Sequence, residues 1–443
     1  MSARKTALDV LIACRQQAAW SNGILKEYVQ RDRLDSRDAA LATHLCYGVL
    51  QNRGYLDFYL KQLLTGKLRD LHPAIRDILH LGLYQILFMD KIPHSAAVNE
   101  SVDLAKKYCK KQRFAPGLVN GVLRNAVRSK DTLKEPTSLE DRYSHPKELI
   151  GLLRAYVGEE KLEAMLKANN AAPDMVVQVN TLQVTAQMLI QKLQEEGVIA
   201  VAHPWMPDCL ILSGIGNIEK SESFQKGLFY VQDAAAKLSV LCAQIPKEEY
   251  IRILDCCAAP GGKSFAAAIA MGGKGSITSC DVYPHKTTLI EKGAKRLGIQ
   301  NISVLCKDAA VHDPQWEDAM DVVLADVPCS GYGIIRKKPD IRYKDLEQMA
   351  NLPQLQLQIL NNQATYVKPG GVLLYSTCTL NFEENEGLVQ KFLKDHPDFD
   401  TEKLELPSVF PENDSGMLCL VPGEYDTDGF FICRLRRKLC NKT

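Results

Sequence analysis

From about Leu228 onward the chain alternates short apolar runs with helical stretches, and this pattern restricts the fold more than any other feature. Candidate strands are Ile251–Leu254, Ser276–Cys280, Ile302–Leu305, Asp321–Ala325 and Val372–Ser376, with a late one at Phe430–Leu435 after Asp428-Gly429. Short apolar runs separated by helix-length segments predict a doubly wound α/β sheet with helices on both faces. Such sheets take ligands beyond the carboxyl ends of their strands, so the chemistry is sought there.

The front of the chain reads differently. Ala42, Leu45, Val49 and Leu50 recur at helical spacing, as do Ile75, Ile78, Leu79 and Leu83. Asp35-Ser36-Arg37-Asp38 supplies capping residues before the first run, and His72-Pro73 and Ile92-Pro93 punctuate the second. Residues 1–135 therefore predict an all-α domain. Asp, Thr, Glu, Pro and Ser are enriched over residues 131–145, which read as a linker. Residues 136–227 then give a helix near Lys147–Leu166, a strand at Met175–Val179, a helix over Thr185–Glu196 ended by Gly197, and a strand around Cys209–Leu212. That order predicts a small α+β domain, with residues 228–443 forming the α/β domain.

Charge divides along the same line. The 443 residues carry a net +1, yet residues 1–135 hold 22 Lys+Arg against 13 Asp+Glu, and the rest hold 32 against 40. A basic module joined to an acidic one suggests that the first meets a polyanion. Its most basic stretch is Lys106-Lys107-Tyr108-Cys109-Lys110-Lys111-Gln112-Arg113. On a continuous helix Lys106, Lys110 and Arg113 would share a face, with Lys107 and Lys111 beside them. A solvated helix end is one reading of this run, and a phosphate-contacting patch is the other.

No apolar run reaches the roughly 18–20 residues of a membrane span, and MSARKTALDV leads into polar residues rather than a signal sequence. Fourteen cysteines include no C-x-x-C pair, which argues against zinc ribbons and thioredoxin-like sites and predicts a reduced, cytoplasmic compartment. Metal binding at the cysteines discussed below would need further Cys or His ligands, and none has suitable spacing.

Asp255-Cys256-Cys257-Ala258-Ala259-Pro260-Gly261-Gly262-Lys263-Ser264 follows the first strand of the large sheet and opens a helix. Its glycines let backbone approach a ligand closely, and the helix start offers free N–H groups. The phosphate-binding P-loop needs glycine where Cys257 stands, and the G-x-G-x-x-G dinucleotide pattern is missing. A nicotinamide-dependent dehydrogenase is thereby disfavoured. Asp281 ends the second strand, at a spacing suited to ribose hydroxyls, and Asp308 follows the third, where a carboxylate reaches an adenine amino group. With Asp326, three carboxylates at successive strand ends favour a nucleoside-bearing cofactor over three unrelated turn residues.

Asp326-Val327-Pro328-Cys329-Ser330-Gly331 follows the fourth strand and Ser376-Thr377-Cys378-Thr379 the fifth. Single cysteines are usually buried small hydrophobes, but two at adjacent strand ends suggest a nucleophilic pair. Beyond the first lies Arg336-Lys337-Lys338-Pro339-Asp340-Ile341-Arg342-Tyr343-Lys344. This run is either a solvated loop or a clamp on a nucleic-acid backbone, and its place beside the site favours the clamp.

Together these segments resemble the RNA cytosine-C5 methyltransferases, and Tyr230-Val231-Gln232-Asp233, Glu383-Glu384-Asn385-Glu386 and Asp428-Gly429-Phe430-Phe431 extend the likeness. In the front half, Arg37-Asp38, Tyr47-Gly48-Val49-Leu50 and Val119-Asn120-Gly121-Val122-Leu123-Arg124-Asn125 look like a NusB-type RNA-binding domain. The combination resembles the bacterial 16S rRNA cytosine-967 C5-methyltransferases (the Sun/Fmu type). The resemblance implies an all-α NusB-like domain, a small middle domain and a Rossmann-like methyltransferase domain that uses S-adenosylmethionine (SAM). It implies that Cys378 attacks C6 of the target cytosine, and that Cys329 assists loss of the C5 proton and release. It implies that Asp326 hydrogen-bonds the base edge, and that Lys263 reaches the reacting centre. Cys257, Ala258, Ala259, Pro260, Gly261, Gly262 and Lys263, with Asp281, Asp308 and Asp326, would hold SAM. Lys106, Lys107, Lys110, Lys111, Arg113, Arg336, Lys337, Lys338 and Arg342 would contact 16S rRNA, naked or in an assembling subunit.

DNA cytosine methyltransferases also use a Pro-Cys pair, there as the nucleophile, but a second cysteine in Thr-Cys favours RNA. Thr379 stands where the family more often has Ser, and both carry a hydroxyl. Another rRNA or tRNA cytosine is the alternative target. A non-catalytic NusB-like RNA-binding factor is a further alternative, but it predicts loss of Cys329, Cys378, Asp326 and Lys263, and all four are present.

Overall fold

The computed structural model describes residues 2–17, 21–248 and 250–439. They form two compact units: Met1–Ala171 together with Ile335–Asp345, and Ala172–Ile334 together with Leu346–Thr443.

Among its described residues the first unit is all helix. Ala3–Gln17, Ser21–Arg31, Ser36–Gln51, Arg53–Leu63, Pro73–Phe88, His94–Tyr108 and Ala115–Ser129 pack around one apolar core. Pro73–Phe88 is its axis: Ile75, Ile78, Leu79 and Leu83 are fully buried, and its other faces are buried too, where Asp77, His80 and Gln85 are satisfied by Arg15, Asp57 and Leu81 O. Asp35 caps Ser36–Gln51 by accepting the Asp38 N–H at 2.8 Å. The stretch read as a linker contains a short helix, Leu139–Tyr143, capped by Ser138. The single helix expected at Lys147–Leu166 is two, Lys147–Val157 and Glu159–Asn169, because Gly158 sits at φ +81° between them.

Two expectations about cations are corrected in this unit. The helix carrying Lys106 and Lys107 stops at Tyr108, where Cys109 is buried and gives its N–H to Ala105 O. Lys110, Lys111 and Arg113 are exposed, but they follow a turn and share no helical face with Lys106. The second correction concerns Arg342, expected on a nucleic-acid clamp. It is buried, and its guanidinium donates to Gln51 O (2.7 Å), Asn169 O (2.8 Å) and Tyr143 O (3.2 Å). All three carbonyls close helices, where the last turn leaves acceptors unpaired. Asp340, also buried, accepts the Ser21 hydroxyl at 2.7 Å. Residues 335–345 are thus a strap fastened into the helical unit rather than a solvated loop.

The second unit holds two sheets. The smaller is antiparallel throughout, with β1 (Met175–Val179), β2 (Ile199–Ala202), β3 (Cys209–Ser213) and β4 (Phe229–Val231) in the order β2-β3-β1-β4. Helix Ala186–Glu195 places Leu189 and Leu193 in a core with Val177, Val179, Leu210 and Phe229.

The larger sheet comprises β5 (Arg252–Asp255), β6 (Ser276–Asp281), β7 (Ile302–Cys306), β8 (Met320–Asp326), β9 (Val367–Thr377), β10 (Phe399–Thr401), β11 (Met417–Leu420) and β12 (Phe430–Arg437). Its order is β10-β12-β9-β8-β5-β6-β7, with β11 on β12. The run β9-β8-β5-β6-β7 is parallel, and β10, β11 and β12 join antiparallel. Alternate residues of the central strands enter different cores. Ile253, Val322, Leu324, Val372 and Leu374 face one, and Leu254, Val323, Ala325, Leu373 and Tyr375 the other. Helices Ala234–Cys242, Gly262–Ala270 and Pro284–Leu297 close the first core, and Leu352–Ala364 and Glu386–Asp395 the second. Both faces are covered, as the apolar strands predict. The chain steps outward from β5 to β6 and β7, then returns to β8 on the other side of β5. That reversal opens a crevice at the carboxyl ends of β5 and β8.

Candidate active site

The turn after β5 carries Cys256 to Gly261 into helix Gly262–Ala270. Gly261 caps this helix at φ +111°, and a Cβ there would run into the Phe265 ring. Asp255, at the end of β5, is wholly buried: Ser264 Oγ donates to its Oδ2 at 2.7 Å, and Ser279 Oγ lies 2.7 Å from Ser264 Oγ. Burial pushes its carboxyl up to about 6, although the Ser264 hydroxyl and the Lys263 ammonium pull the other way.

Asp281 ends β6 nearly buried and accepts the Tyr283 N–H at 3.1 Å. Asp308, beyond β7, is exposed and accepts the Ala310 N–H at 2.9 Å, so it shapes its own turn as well as facing solvent. A glycine-bearing turn over a helix N-terminus, followed by carboxylates on the next two strand ends, is a donor and acceptor set that fits a nucleoside.

At the end of β8, Asp326 receives Lys263 Nζ on Oδ2 at 2.7 Å and Ser376 Oγ on Oδ1 at 2.9 Å. Lys263 comes from the first turn of helix Gly262–Ala270, is nearly buried, and has its ammonium 5.1 Å from the centroid of Phe430. Cys329 follows three residues later, and Cys378 follows β9. Their Sγ atoms lie 3.3 Å apart. The shared proton, together with burial, holds the Cys329 thiol well above its usual range. Gly333 N donates to Cys378 O at 3.0 Å and Gly429 N to Gly333 O at 2.8 Å, so backbone closes over the second cysteine. Asp233 caps helix Ala234–Cys242 and also accepts the Thr427 hydroxyl and the Asp428 N–H, which ties two distant motifs together.

Lys263, Asp326, Cys329 and Cys378 therefore meet at adjoining strand ends, while Asp281 and Asp308 stand on the strand ends β6 and β7. Lys106, Lys107, Lys110, Lys111 and Arg113 belong to the helical unit, as do the half-buried Arg336, Lys337 and Lys338. Sequence reasoning assigned nothing to Asp255, Glu384, Asn385 or Gln356. The signal for Glu384 and Asn385 was a polar cluster directly after an active-site loop. Among the described residues no group of three or more His, Cys, Asp or Glu is placed to hold a metal, and no helix is long and apolar enough to cross a membrane.

Comparison with known proteins agrees with this architecture. Residues 242–436 match the family described as 16S rRNA methyltransferase RsmB/F, residues 1–128 the NusB family, and residues 145–219 a ferredoxin-like domain of RsmF/B-like methyltransferases. A probable ribosomal RNA small subunit methyltransferase B of Bacillus subtilis is 36% identical over 447 residues, covering 99% of both chains. The ribosomal RNA small subunit methyltransferase B of Klebsiella pneumoniae is 32% identical over 92% of each. Among solved structures, PH0851 superposes over 99% of both chains with a TM-score of 0.81 at 26% identity. A methyltransferase homologue from Pyrococcus horikoshii gives 0.55 at 26% identity, covering 68% of this chain and 97% of that one. With a NusB-like domain in front, a ferredoxin-like domain between, and a methyltransferase sheet that carries its polar residues at the strand ends, this chain belongs to the ribosomal RNA small subunit methyltransferase B family.

Proposed function

We propose that the chain methylates C5 of a specific cytosine in 16S rRNA, with Cys378 as the attacking thiol and Cys329 as the residue that frees the product. The observation that carries this reading is the pair of sulfurs 3.3 Å apart beside the Lys263–Asp326 pair. Cytosine C5 is a poor nucleophile in the intact ring, and addition of a thiolate at C6 divides one hard step into easier ones. The Cys378 Sγ–C6 bond forms, and Asp326 hydrogen-bonds the base edge, favouring the protonated ring that accepts the electron pair. SAM, when bound, supplies the methyl group that C5 takes. Cys257 to Lys263 would hold it through the turn and helix start, with Asp281 and Asp308 as acceptors for its hydroxyl and amino groups. With the aid of Cys329 the C5 proton is lost to water, the C5–H electron pair restores the C5–C6 double bond, and the Sγ–C6 bond breaks with its pair returning to Cys378.

The 3.3 Å separation of the sulfurs supports this division of labour, since it lets both thiols reach the C5–C6 bond of one base. A base within a helix is out of reach, so the target is unpaired or flipped out. Lys106, Lys107, Lys110, Lys111 and Arg113, with Arg336, Lys337 and Lys338, supply phosphate contacts. Arg342 is excluded from that set by its carbonyl partners.

The test is a denaturing gel of wild type, Cys378→Ala and Cys329→Ala after incubation with SAM and small-subunit rRNA, naked or partly assembled. A covalent RNA adduct with Cys329→Ala and none with Cys378→Ala is expected. The reverse pattern would transfer the attack to Cys329 and overturn the assignment. Absence of methyl transfer by wild type on both substrates would favour another RNA or a binding role.

A further inference from the structure

Behind the two cysteines lies a buried polar cluster with no role in the chemistry above. Glu384 is 1% exposed and follows the Cys378 loop by a few residues. Its Oε2 accepts the Ser330 N–H and Gln356 Nε2, each at 2.9 Å, and its Oε1 accepts the Ser330 hydroxyl and Asn381 Nδ2. Gln356 Nε2 also donates to Pro328 O at 2.9 Å. The residues before and after Cys329 are therefore both held, one by Glu384 directly and one through Gln356.

Asn385 does the same for the other thiol. It is wholly buried, accepts the Thr377 hydroxyl on Oδ1 at 2.6 Å, and donates Nδ2 to Thr379 O at 3.0 Å. Those are the neighbours of Cys378 on either side. The two halves join through Ser330 Oγ and Thr379 Oγ1, 2.6 Å apart, and Tyr375 Oη donates to Glu384 O at 2.6 Å. A buried carboxylate that receives four donors and a buried amide with both ends engaged are rigid anchors, because every replacement leaves a polar partner unpaired.

We infer that Glu384 and Asn385 are positioning residues with separate duties: Glu384 sets Cys329 for proton removal and release, and Asn385 sets Cys378 for attack on C6. This rests on the two-cysteine reading above. It predicts that neighbouring residues in the chain, in one hydrogen-bonded cluster, affect different steps. Displacement of a reacting group by an ångström costs about 10²-fold in rate.

The experiment measures two rates on one rRNA fragment with SAM: adduct formation in a single turnover, and product release over many. Glu384→Gln keeps shape but turns an amide toward the Ser330 N–H. It is expected to form adduct at nearly the wild-type rate and to release it about 10²-fold more slowly, accumulating cross-linked RNA. Ser330→Ala, a milder cut of the same link, is expected to show the same bias to a smaller degree. Asn385→Ala is expected to slow adduct formation without trapping adduct. Equal slowing of both steps by all three variants would reduce the cluster to a structural support and overturn the inference. Slower adduct formation with Glu384→Gln would overturn it too. Cys329→Ala runs alongside as a control. If it fails to trap adduct, the two-cysteine reading falls and this assignment with it. If it traps adduct and Glu384→Gln does not, only this assignment falls.

Discussion

Asp255 offers a test whose magnitude follows from its surroundings. Burial raises its carboxyl from 3.8 to about 6, and the Ser264 hydroxyl and the Lys263 ammonium, which pull the other way, do not cancel it. Between these values the native state binds the proton more tightly than the unfolded chain does. This group's contribution to stability therefore falls as pH rises from about 4 to about 6, and is level above that. At about 1.4 kcal/mol per tenfold change in proton affinity, the raised affinity costs the native state about 1 kcal/mol at pH 4.5, where mainly the unfolded chain has ionised, and about 3 kcal/mol at pH 7, where both have. Asp255→Asn keeps the size and an oxygen for the Ser264 hydroxyl, but has no charge to desolvate. The stability of wild type relative to the variant should drop by about 2 kcal/mol between those two pH values. Urea unfolding in a Trp20→Phe background reads this, because Trp205 and Trp316 both lie in the second unit. A difference between the two proteins that stays constant with pH would refute the reasoning: Asp255 would then not be desolvated as its burial implies.

Arg342→Met removes three donors from buried carbonyls while relieving a buried charge, and should destabilise the helical unit by about 2–4 kcal/mol in thermal or urea unfolding. Arg342→Lys should recover less than half, because one ammonium cannot span Gln51 O, Tyr143 O and Asn169 O. Gly333→Ala places a methyl group against Gly429 O and, at 2.8 Å, Cys378 O. It should cost about 1–3 kcal/mol and slow adduct formation in single-turnover assays. Replacing Lys106, Lys107, Lys110 and Lys111 by Ala should weaken rRNA binding and reduce the slope of log Kobs against log salt by up to about 3, read from a salt titration.

The central parallel strands β5, β8 and β9 were legible because their buried stretches are apolar on both faces, and Met175–Val179 was located to the residue. β10 and β11 were not: both are short strands that pair only with β12, Phe399-Asp400-Thr401 has no apolar run, and the four apolar residues Met417–Leu420 were too short a signal on their own. The cysteine loops were readable because the chemistry sits in the strand-end segments themselves. Glu384 was quoted with its neighbours yet assigned no duty, since its importance lies in four donors from residues 330, 356 and 381 meeting at one point. Arg342 was misread for a related reason. A run of cations looks the same in sequence whether it meets phosphates or backbone carbonyls, and nothing local announces that residues 51, 143 and 169 converge on it. The Lys106–Arg113 face failed on a boundary: the helix ends where Cys109 turns inward.

The strap at Ile335–Asp345 bears on how the chain is made. Residues through Ala171 emerge from the ribosome first, but their helical unit lacks the segment that engages Ser21, Gln51, Tyr143 and Asn169. At about 5–20 residues per second, roughly 9–35 seconds separate synthesis of Ala171 from that of Asp345. During that interval the helical unit exists with its strap site unfilled, and the strap arrives only after β8 and the Cys329 loop have been synthesised. Completion of the amino-terminal unit is thus a late event in synthesis, and a polypeptide stopped at Ala171 should be a less stable, partly open form of that unit.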